Sequence, residues 1–379
     1  MSIQAKNKLL VVDDSAFMRK LITDFFANHP TIEVVGTARN GKDAIQKIKQ
    51  LLPNVVTMDV EMPEMNGLDA LKEIMQATPV PVIMLSSTTQ RGAENTLTAM
   101  EYGAVDFVAK PSGTISLDLH KIQYELIGKV EQAVQIPIIK LKQPLTARKL
   151  VQADLPIAQV KPASISEQRK KEVPRFTPPA KKTEWNKTSR KIILIGTSTG
   201  GPRALQEVIT KIPANVDAPI LIVQHMPAGF TKSLATRLNQ LSKIHVKEAE
   251  QGDVLQKGTA YIAPGGYHMK LRKVGATYGI VLDQTEPPRS GHRPSVDVMF
   301  EDVSKIPEMD KIAVIMTGMG YDGSKGLKLL KQSGNVIAIA ESAETCIVYG
   351  MPKAAVETQL VDEVADVDDI AQIIMKYMP

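Results

Sequence analysis

Asp13 and Asp14 close an apolar run, Lys8-Leu9-Leu10-Val11-Val12-Asp13-Asp14, and Asp59 closes another, Asn54-Val55-Val56-Thr57-Met58-Asp59. Such runs read as strands buried on both faces of a parallel sheet. Ligands of open α/β sheets gather at the carboxyl ends of the strands. Three carboxylates on one edge repel one another unless a cation neutralises them, and an all-oxygen donor set selects a hard divalent ion, Mg2+ first. Phosphoryl transfer to a carboxylate needs a nucleophilic oxygen, a bridging metal and fixed positive charge. Asp59 stands alone beside the metal pair and is the expected nucleophile, with Asp13 and Asp14 holding the ion. Lys110 follows Phe107-Val108-Ala109 and offers the positive charge, while Ser86 ends Val82–Ser86 and offers a donor to a phosphoryl oxygen. Any one of these reads as a polar strand terminus; five at the ends of four strands read as a site.

A second constellation begins at Gly196-Thr197-Ser198-Thr199-Gly200-Gly201-Pro202, after the apolar run Ile192–Ile195. Gly196-x-Ser198-x-Gly200 between a strand and a helix fits a nucleophile elbow. It also fits a phosphate-cradling glycine loop at a helix N-terminus, and the motif alone leaves both open. A serine nucleophile needs a base, and the run Ile220–Gln224 ends at His225. The histidine needs an orienting carboxylate, and Ile312–Thr317 leads to Asp322 through Gly318-Met319-Gly320-Tyr321. All three then lie on one edge of one sheet, in an order that differs from the usual hydrolase order but is permitted by geometry. The glycine-rich turn also frees backbone N–H groups, that of Met319 among them, for an oxyanion. His245, His268 and His292 compete for the base, and Asp297 for the carboxylate. Only His225 directly follows an apolar strand able to lie beside the elbow, and Asp297 is placed to serve the first turn of a helix starting near Ser295. Cys346, among apolar neighbours, reads as a buried small residue.

The elements that must position these groups fall into two sets. Strands are expected at Leu9–Asp13, Ile32–Ala38, Val55–Asp59, Val82–Ser86 and Asp106–Ala109, with helices between them and a last helix near Leu117–Val134. Five βα units in this length make a doubly wound domain of flavodoxin-like topology. A second, larger doubly wound α/β domain, Rossmann-like, starts at Lys191, with strands at Ile220–Gln224, Thr259–Ala263, Ile312–Thr317 and Val336–Ala340. A hairpin is expected at His268–Lys273 and Thr277–Leu282. Its helices are expected near Arg203–Lys211, Thr231–Gln240, Gly323–Gln332 and Met351–Glu357. Between the domains, prolines recur amid Lys, Gln, Ser and Thr, a composition that buries no core. The expected division is 1–135, a linker over 136–188, and 189–379. The apolar pieces Ile136–Leu141 and Leu150–Val160 are candidates to dock on a neighbouring domain.

A chain of 379 residues with 43% hydrophobic content accommodates two or three cored domains. Its single cysteine excludes an internal disulfide and fits a reducing compartment. No signal peptide and no apolar run of about 18 residues appear, so a cytoplasmic protein that is not integral to a membrane is expected. The net charge of +5 belongs to one segment: residues 140–190 carry 13 Lys/Arg against 4 Asp/Glu, leaving −4 for the rest. Nucleic-acid binding therefore does not follow from the charge, and no helix-turn-helix is visible. No Cys/His cluster suggests zinc.

Residues 8–130 resemble the receiver domain of two-component response regulators in Val12-Asp13-Asp14, Asp59-Val60-Glu61-Met62-Pro63-Glu64-Met65-Asn66-Gly67, Ser86 and Ala109-Lys110-Pro111. The resemblance implies phosphorylation of Asp59 by a CheA-type histidine kinase. It also implies Mg2+ held by Asp14 and Asp59 with help from Asp13 and the Glu61 carbonyl, and Phe107 as an aromatic switch residue. Residues 191–379 resemble the catalytic domain of the chemotaxis protein-glutamate methylesterases, the CheB family. The shared pieces are Ile195–Pro202, Gln224-His225-Met226-Pro227, Ala263-Pro264-Gly265-Gly266, His292–Asp297, Thr317–Gly323 and Tyr349-Gly350-Met351-Pro352. That family's nucleophile, base and acid fall on Ser198, His225 and Asp322, with Thr199 in support and the Met319 backbone at the oxyanion. The implied activity is hydrolysis of glutamate methyl esters on chemoreceptors, and deamidation of receptor glutamines, at membrane receptor arrays. The linker departs from the family by being longer and more basic. The competing expectation is a response regulator whose second domain binds a nucleotide or a protein without catalysis.

Overall fold

The computed structural model describes residues 5–110, 116–141 and 185–379. In the first domain, strands β1 (Asn7–Val12), β2 (Ile32–Ala38), β3 (Val55–Asp59), β4 (Val82–Ser86) and β5 (Asp106–Ala109) alternate with helices α1 (Ala16–Phe25), α2 (Gly41–Leu51), α3 (Gly67–Ala77), α4 (Gln90–Tyr102) and α5 (Ser116–Ala133). The sheet is parallel in the order β2-β1-β3-β4-β5, the flavodoxin-like order. β3 and β4 are buried along their whole length, as expected of strands covered on both faces. Side chains of Ser15, Asn40, Asn66 and Thr89 cap α1, α2, α3 and α4 by accepting backbone N–H bonds.

The second domain is built on β6 (Lys191–Thr197), α6 (Gly201–Ile209), β7 (Ile220–Gln224), α7 (Phe230–Leu241), β8 (His245–Glu248) and β9 (Thr259–Ile262). The hairpin β10 (His268–Val274) and β11 (Thr277–Asp283) follows, then α8 (Val296–Val303), β12 (Asp310–Ile315), α9 (Ser324–Gln332) and β13 (Val336–Glu341). α10 (Met351–Glu357), β14 (Glu363–Ala365) and α11 (Val367–Lys376) complete it. Seven parallel strands run in the order β14-β13-β12-β6-β7-β9-β8. The chain leaves β6 toward β7 and later returns to the other side of β6 at β12. The switch point of this doubly wound sheet therefore lies between β6 and β12, where a ligand crevice belongs. Sequence reading did not name the edge strands β8 and β14 or the helix α11.

The domains meet face to face. Glu101 of α4 pairs with Arg237 of α7 at 2.7 Å, and the Phe107 ring stacks on Phe230 with centroids 4.6 Å apart. The apolar piece Ile136–Leu141 does dock: Ile136 and Leu141 are buried, and Lys140 Nζ donates to the carbonyls of Ala343 and Cys346, each at 2.7 Å. The piece Leu150–Val160 lies outside the described residues.

Candidate active site

β6 and β7 are paired through Thr197 and Gln224, so Ser198 and His225 are the next residue on each strand. The turn after β6 is held from three sides. The Ser198 N–H donates to the Thr317 carbonyl at 3.0 Å, the Gly201 N–H to the Ser198 carbonyl at 2.8 Å, and Gln224 Nε2 to the same carbonyl at 3.0 Å. Gly200 sits at φ 79°, a left-handed conformation that glycine adopts without strain. Gly318 allows a close approach, since a Cβ there would stand 2.8 Å from Ser198 Cβ.

His225 Nε2 lies 2.8 Å from Asp322 Oδ2. Asp322 is buried and also accepts from Ser295 Oγ at 2.9 Å and from the backbone N–H groups of Val296, Asp297 and Gly323 at 2.7, 2.9 and 3.1 Å. Burial is the largest influence and works to raise its carboxyl. The hydrogen bond and charge of His225, with the backbone donors, outweigh it and hold the carboxyl at about 2. An ionised carboxylate only accepts, so Nε2 carries the imidazole proton and Nδ1 is the basic nitrogen. Nδ1 is buried and makes no hydrogen bond among the described residues. No bond yet joins it to Ser198 Oγ, a looseness common in sites without substrate. The orienting bond thus uses Nε2, where sequence reading left the choice of nitrogen unstated.

Of the competitors, His268 is fully buried with Nε2 on the Pro287 carbonyl at 3.1 Å, and burial lowers its pKa. Asp297 accepts from the N–H groups of Gly323 and Gly326 at 2.9 and 2.7 Å, tying α8 to the start of α9; burial, foremost, raises its carboxyl to about 6. The Cys346 thiol is fully buried, and burial pushes its pKa far up. Met319 follows Gly318 on an exposed turn, and its N–H has no hydrogen-bond acceptor among the described residues.

At the receiver edge, Asp13, Asp14 and Asp59 bring one carboxylate oxygen each to within 4.8 Å of one another. Lys110 Nζ pairs with Asp13 Oδ2 at 2.9 Å and with Asp59 Oδ2 at 2.8 Å. Burial, foremost, lifts the Asp59 carboxyl to about 6; Lys110 opposes this and the Asp13 charge adds to it. One ammonium against three carboxylates leaves excess negative charge among hard oxygen donors, so these residues fit a divalent cation. The Glu61 N–H serves the Asp59 carboxylate. Ser86 Oγ donates to the Gly92 carbonyl at 3.0 Å.

Beside the active site the two domains are joined through Asp106 and Lys129, two residues that sequence reading did not name among the site residues. Thr199 Oγ1 donates to Asp106 Oδ2 at 2.5 Å. Lys129 of α5 pairs with the other oxygen of Asp106 at 3.3 Å, donates to the Phe107 carbonyl at 2.5 Å and lies 5.2 Å from the Phe107 ring centroid. Asp106 and Lys129 had no local signal, because their partners lie on other elements.

The response regulator receiver domain model matches residues 9–120, and the CheB methylesterase model matches residues 193–374. A protein-glutamate methylesterase/protein-glutamine glutaminase of Halalkalibacterium halodurans is 53% identical over 374 residues, covering 99% of either chain. The chain belongs to the protein-glutamate methylesterase/protein-glutamine glutaminase family. Its Geobacillus kaustophilus relative of the same description is also 53% identical, over 98% of either chain. A crystal structure of the Thermotoga maritima CheB methylesterase catalytic domain shares 44% identity, covers 50% of this chain and 98% of its own, and superposes with a TM-score of 0.48. In this member of the methylesterase family, no helix among the described residues is long and apolar enough to cross a membrane.

Proposed function

We propose that this chain is a serine esterase that demethylates glutamate methyl esters on chemoreceptors, deamidates receptor glutamines, and is activated by phosphorylation of Asp59. The observation that carries the chemistry is the His225–Asp322 bond at 2.8 Å, one strand from Ser198 on the same sheet edge. Ser198 Oγ attacks the ester carbonyl while His225 Nδ1 takes its proton. The tetrahedral oxyanion is met by the free N–H of Met319. Collapse breaks the ester C–O bond, and the imidazolium returns the proton to the methoxy oxygen, releasing methanol. Water, deprotonated by the same nitrogen, then cleaves the acyl-enzyme to a glutamate carboxylate and restores Ser198. With a glutamine substrate the leaving group is ammonia. Thr199 supports this turn, and its hydroxyl is engaged by the receiver in the form described.

Mg2+ would be held by Asp13, Asp14, Asp59 and the Glu61 carbonyl, and when bound it neutralises charge on the transferred phosphoryl group. Asp59 is the acceptor from a histidine kinase of the CheA type. Lys110 and Ser86 engage the phosphoryl oxygens, and Ser86 must leave the Gly92 carbonyl to do so. Phe107 reports the change at the domain interface. The substrate receptors place the enzyme in the cytoplasm at membrane receptor arrays. A purely binding second domain has no use for a buried imidazole–carboxylate pair beside an elbow serine. Methanol release from methylated receptor, measured with and without a small phosphodonor and Mg2+, tests both halves. No release from the wild-type chain ends the esterase reading, and release that ignores the phosphodonor ends the regulatory one.

A further inference from the structure

One aromatic contact at the active site has no part in the scheme above. The ring of His292 lies flat on that of His225, with centroids 3.8 Å apart and planes 7° from parallel. The backbone delivers it there rigidly. Arg289 and His292 exchange both N–H···O bonds at 2.9 Å across Ser290 and Gly291, whose φ values of 51° and 84° make the tight two-residue turn of a hairpin. Arg289 is clamped by Glu286 and by Glu301 of α8. Arg293 donates to the carbonyls of Gln284 and Glu286 at 2.7 and 3.1 Å. Two residues further on, Ser295 donates to Asp322 itself at 2.9 Å. The ring nitrogens of His292 make no hydrogen bond among the described residues, so its contact with the base is through its face.

We propose that His292 is a positioning residue for ester hydrolysis, its ring fixing the plane in which His225 carries the serine proton. The inference rests on the serine-esterase reading. The bond to Asp322 fixes one atom of the His225 ring and leaves the ring free to swing about that bond. A flat neighbour at contact distance removes the swing, and the two constraints together aim Nδ1. His292 also has to stay uncharged while His225 becomes an imidazolium. Burial, first, then His225 and Lys129, push its pKa down to about 3, with Asp322 the one group opposing them. A neutral π face against a forming cation is attractive, whereas a second cation would repel it.

The test uses the full chain with a small phosphodonor and Mg2+, and compares His292→Ala, His292→Phe and His292→Gln. Two quantities are read: steady-state methanol release, and the rate at which Ser198 is labelled by an organophosphate. His292→Ala is expected to lower kcat and the labelling rate about 10²-fold, with KM within about threefold of wild type. His292→Phe, which keeps a flat ring, is expected to recover most of the loss. His292→Gln, which keeps polarity and bulk without a ring, is not. Turnover by His292→Ala within about threefold of wild type overturns the proposal. So does a His292→Phe variant no faster than His292→Gln, a comparison that holds even where the alanine variant does not fold. Ser198→Ala runs alongside: labelling that survives it removes the serine reading itself, not the role of His292.

Discussion

At the receiver edge three carboxylates gather and two of them share one ammonium, while at the esterase edge one carboxylate is met by five donors. The same side chain is pushed in opposite directions by these surroundings: Asp59 up to about 6, Asp322 down to about 2. Both are buried, so burial does not separate them. The balance of donors and charges around them does. A site left short of positive charge changes state when a cation or a phosphoryl group arrives. A site already satisfied holds its geometry and spends no reorganisation during turnover. One fold plan, a parallel sheet with polar residues at its carboxyl edge, thus yields a switch in one domain and a catalyst in the other.

The sharpest way to break this contrast is at the nucleophile. Ser198→Ala should lower methanol release by about 10⁴-fold or more, and near-normal release would remove the catalytic half of the comparison. Asp322→Asn comes next. It leaves Nε2 facing an amide and disturbs the tautomer, so kcat should fall about 10³- to 10⁴-fold with KM little changed; a loss under tenfold would mean that the satisfied carboxylate does not orient the base. Asp59→Asn should erase the increase in rate caused by a phosphodonor with Mg2+, and any retained stimulation points to another acceptor. Asp106→Ala frees Thr199 and should raise the activity of the unphosphorylated chain by about five- to tenfold, the scale of one net hydrogen bond. An unchanged basal rate would show that this contact does not restrain the esterase.

The smallest effect is on stability, and the two aspartates should carry opposite signs. With its carboxyl raised above the ordinary 3.8, folded Asp59 binds more protons than the unfolded chain between about pH 4 and pH 6. Its contribution therefore falls as pH rises through that window. Asp322, lowered from 3.8, contributes stability above about pH 4 that is lost as pH falls toward 2. Asp59→Asn should accordingly melt a few °C above wild type at pH 7, with the gap closing toward pH 4, and Mg2+ should narrow it at pH 7. Calorimetry showing the gap widening on acidification would reverse the assignment.

Much of this contrast was legible in sequence because both sites sit where apolar runs stop. Val55–Asp59, Val82–Ser86, Asp106–Ala109 and Ile220–Gln224 have the bounds that their residues announce. Strands covered on both faces leave a contiguous apolar signature, and the polar residue that ends it is the functional one. The edges were harder. Glu363–Ala365 has three residues and only one buried side chain, and His245–Glu248 carries one buried side chain among four. Helix α11 is periodic, burying Val367, Ile370, Ala371 and Ile374, but it follows a strand too short to frame it. The contacts between elements had no local trace. Nothing near Thr199 announces Asp106, and nothing near Phe107 announces Phe230. In sequence His292 reads as a rival base, since a histidine's neighbours along the chain do not show what lies across its ring.

Helix α5 and the turn after it also have a mechanical meaning. Lys129 is bonded to the receiver at Asp106 and Phe107, and eleven positions later Lys140 is bonded to the esterase at Ala343 and Cys346. A short arm therefore carries a rivet near either end, one in each body. Any rotation that parts Phe107 from Phe230 must be absorbed within that arm or must pull a rivet. Val130, Ala133, Ile136 and Leu141 are buried in one cluster with the receiver strands, so the arm moves with the receiver and the rivet that must give is the one at Lys140.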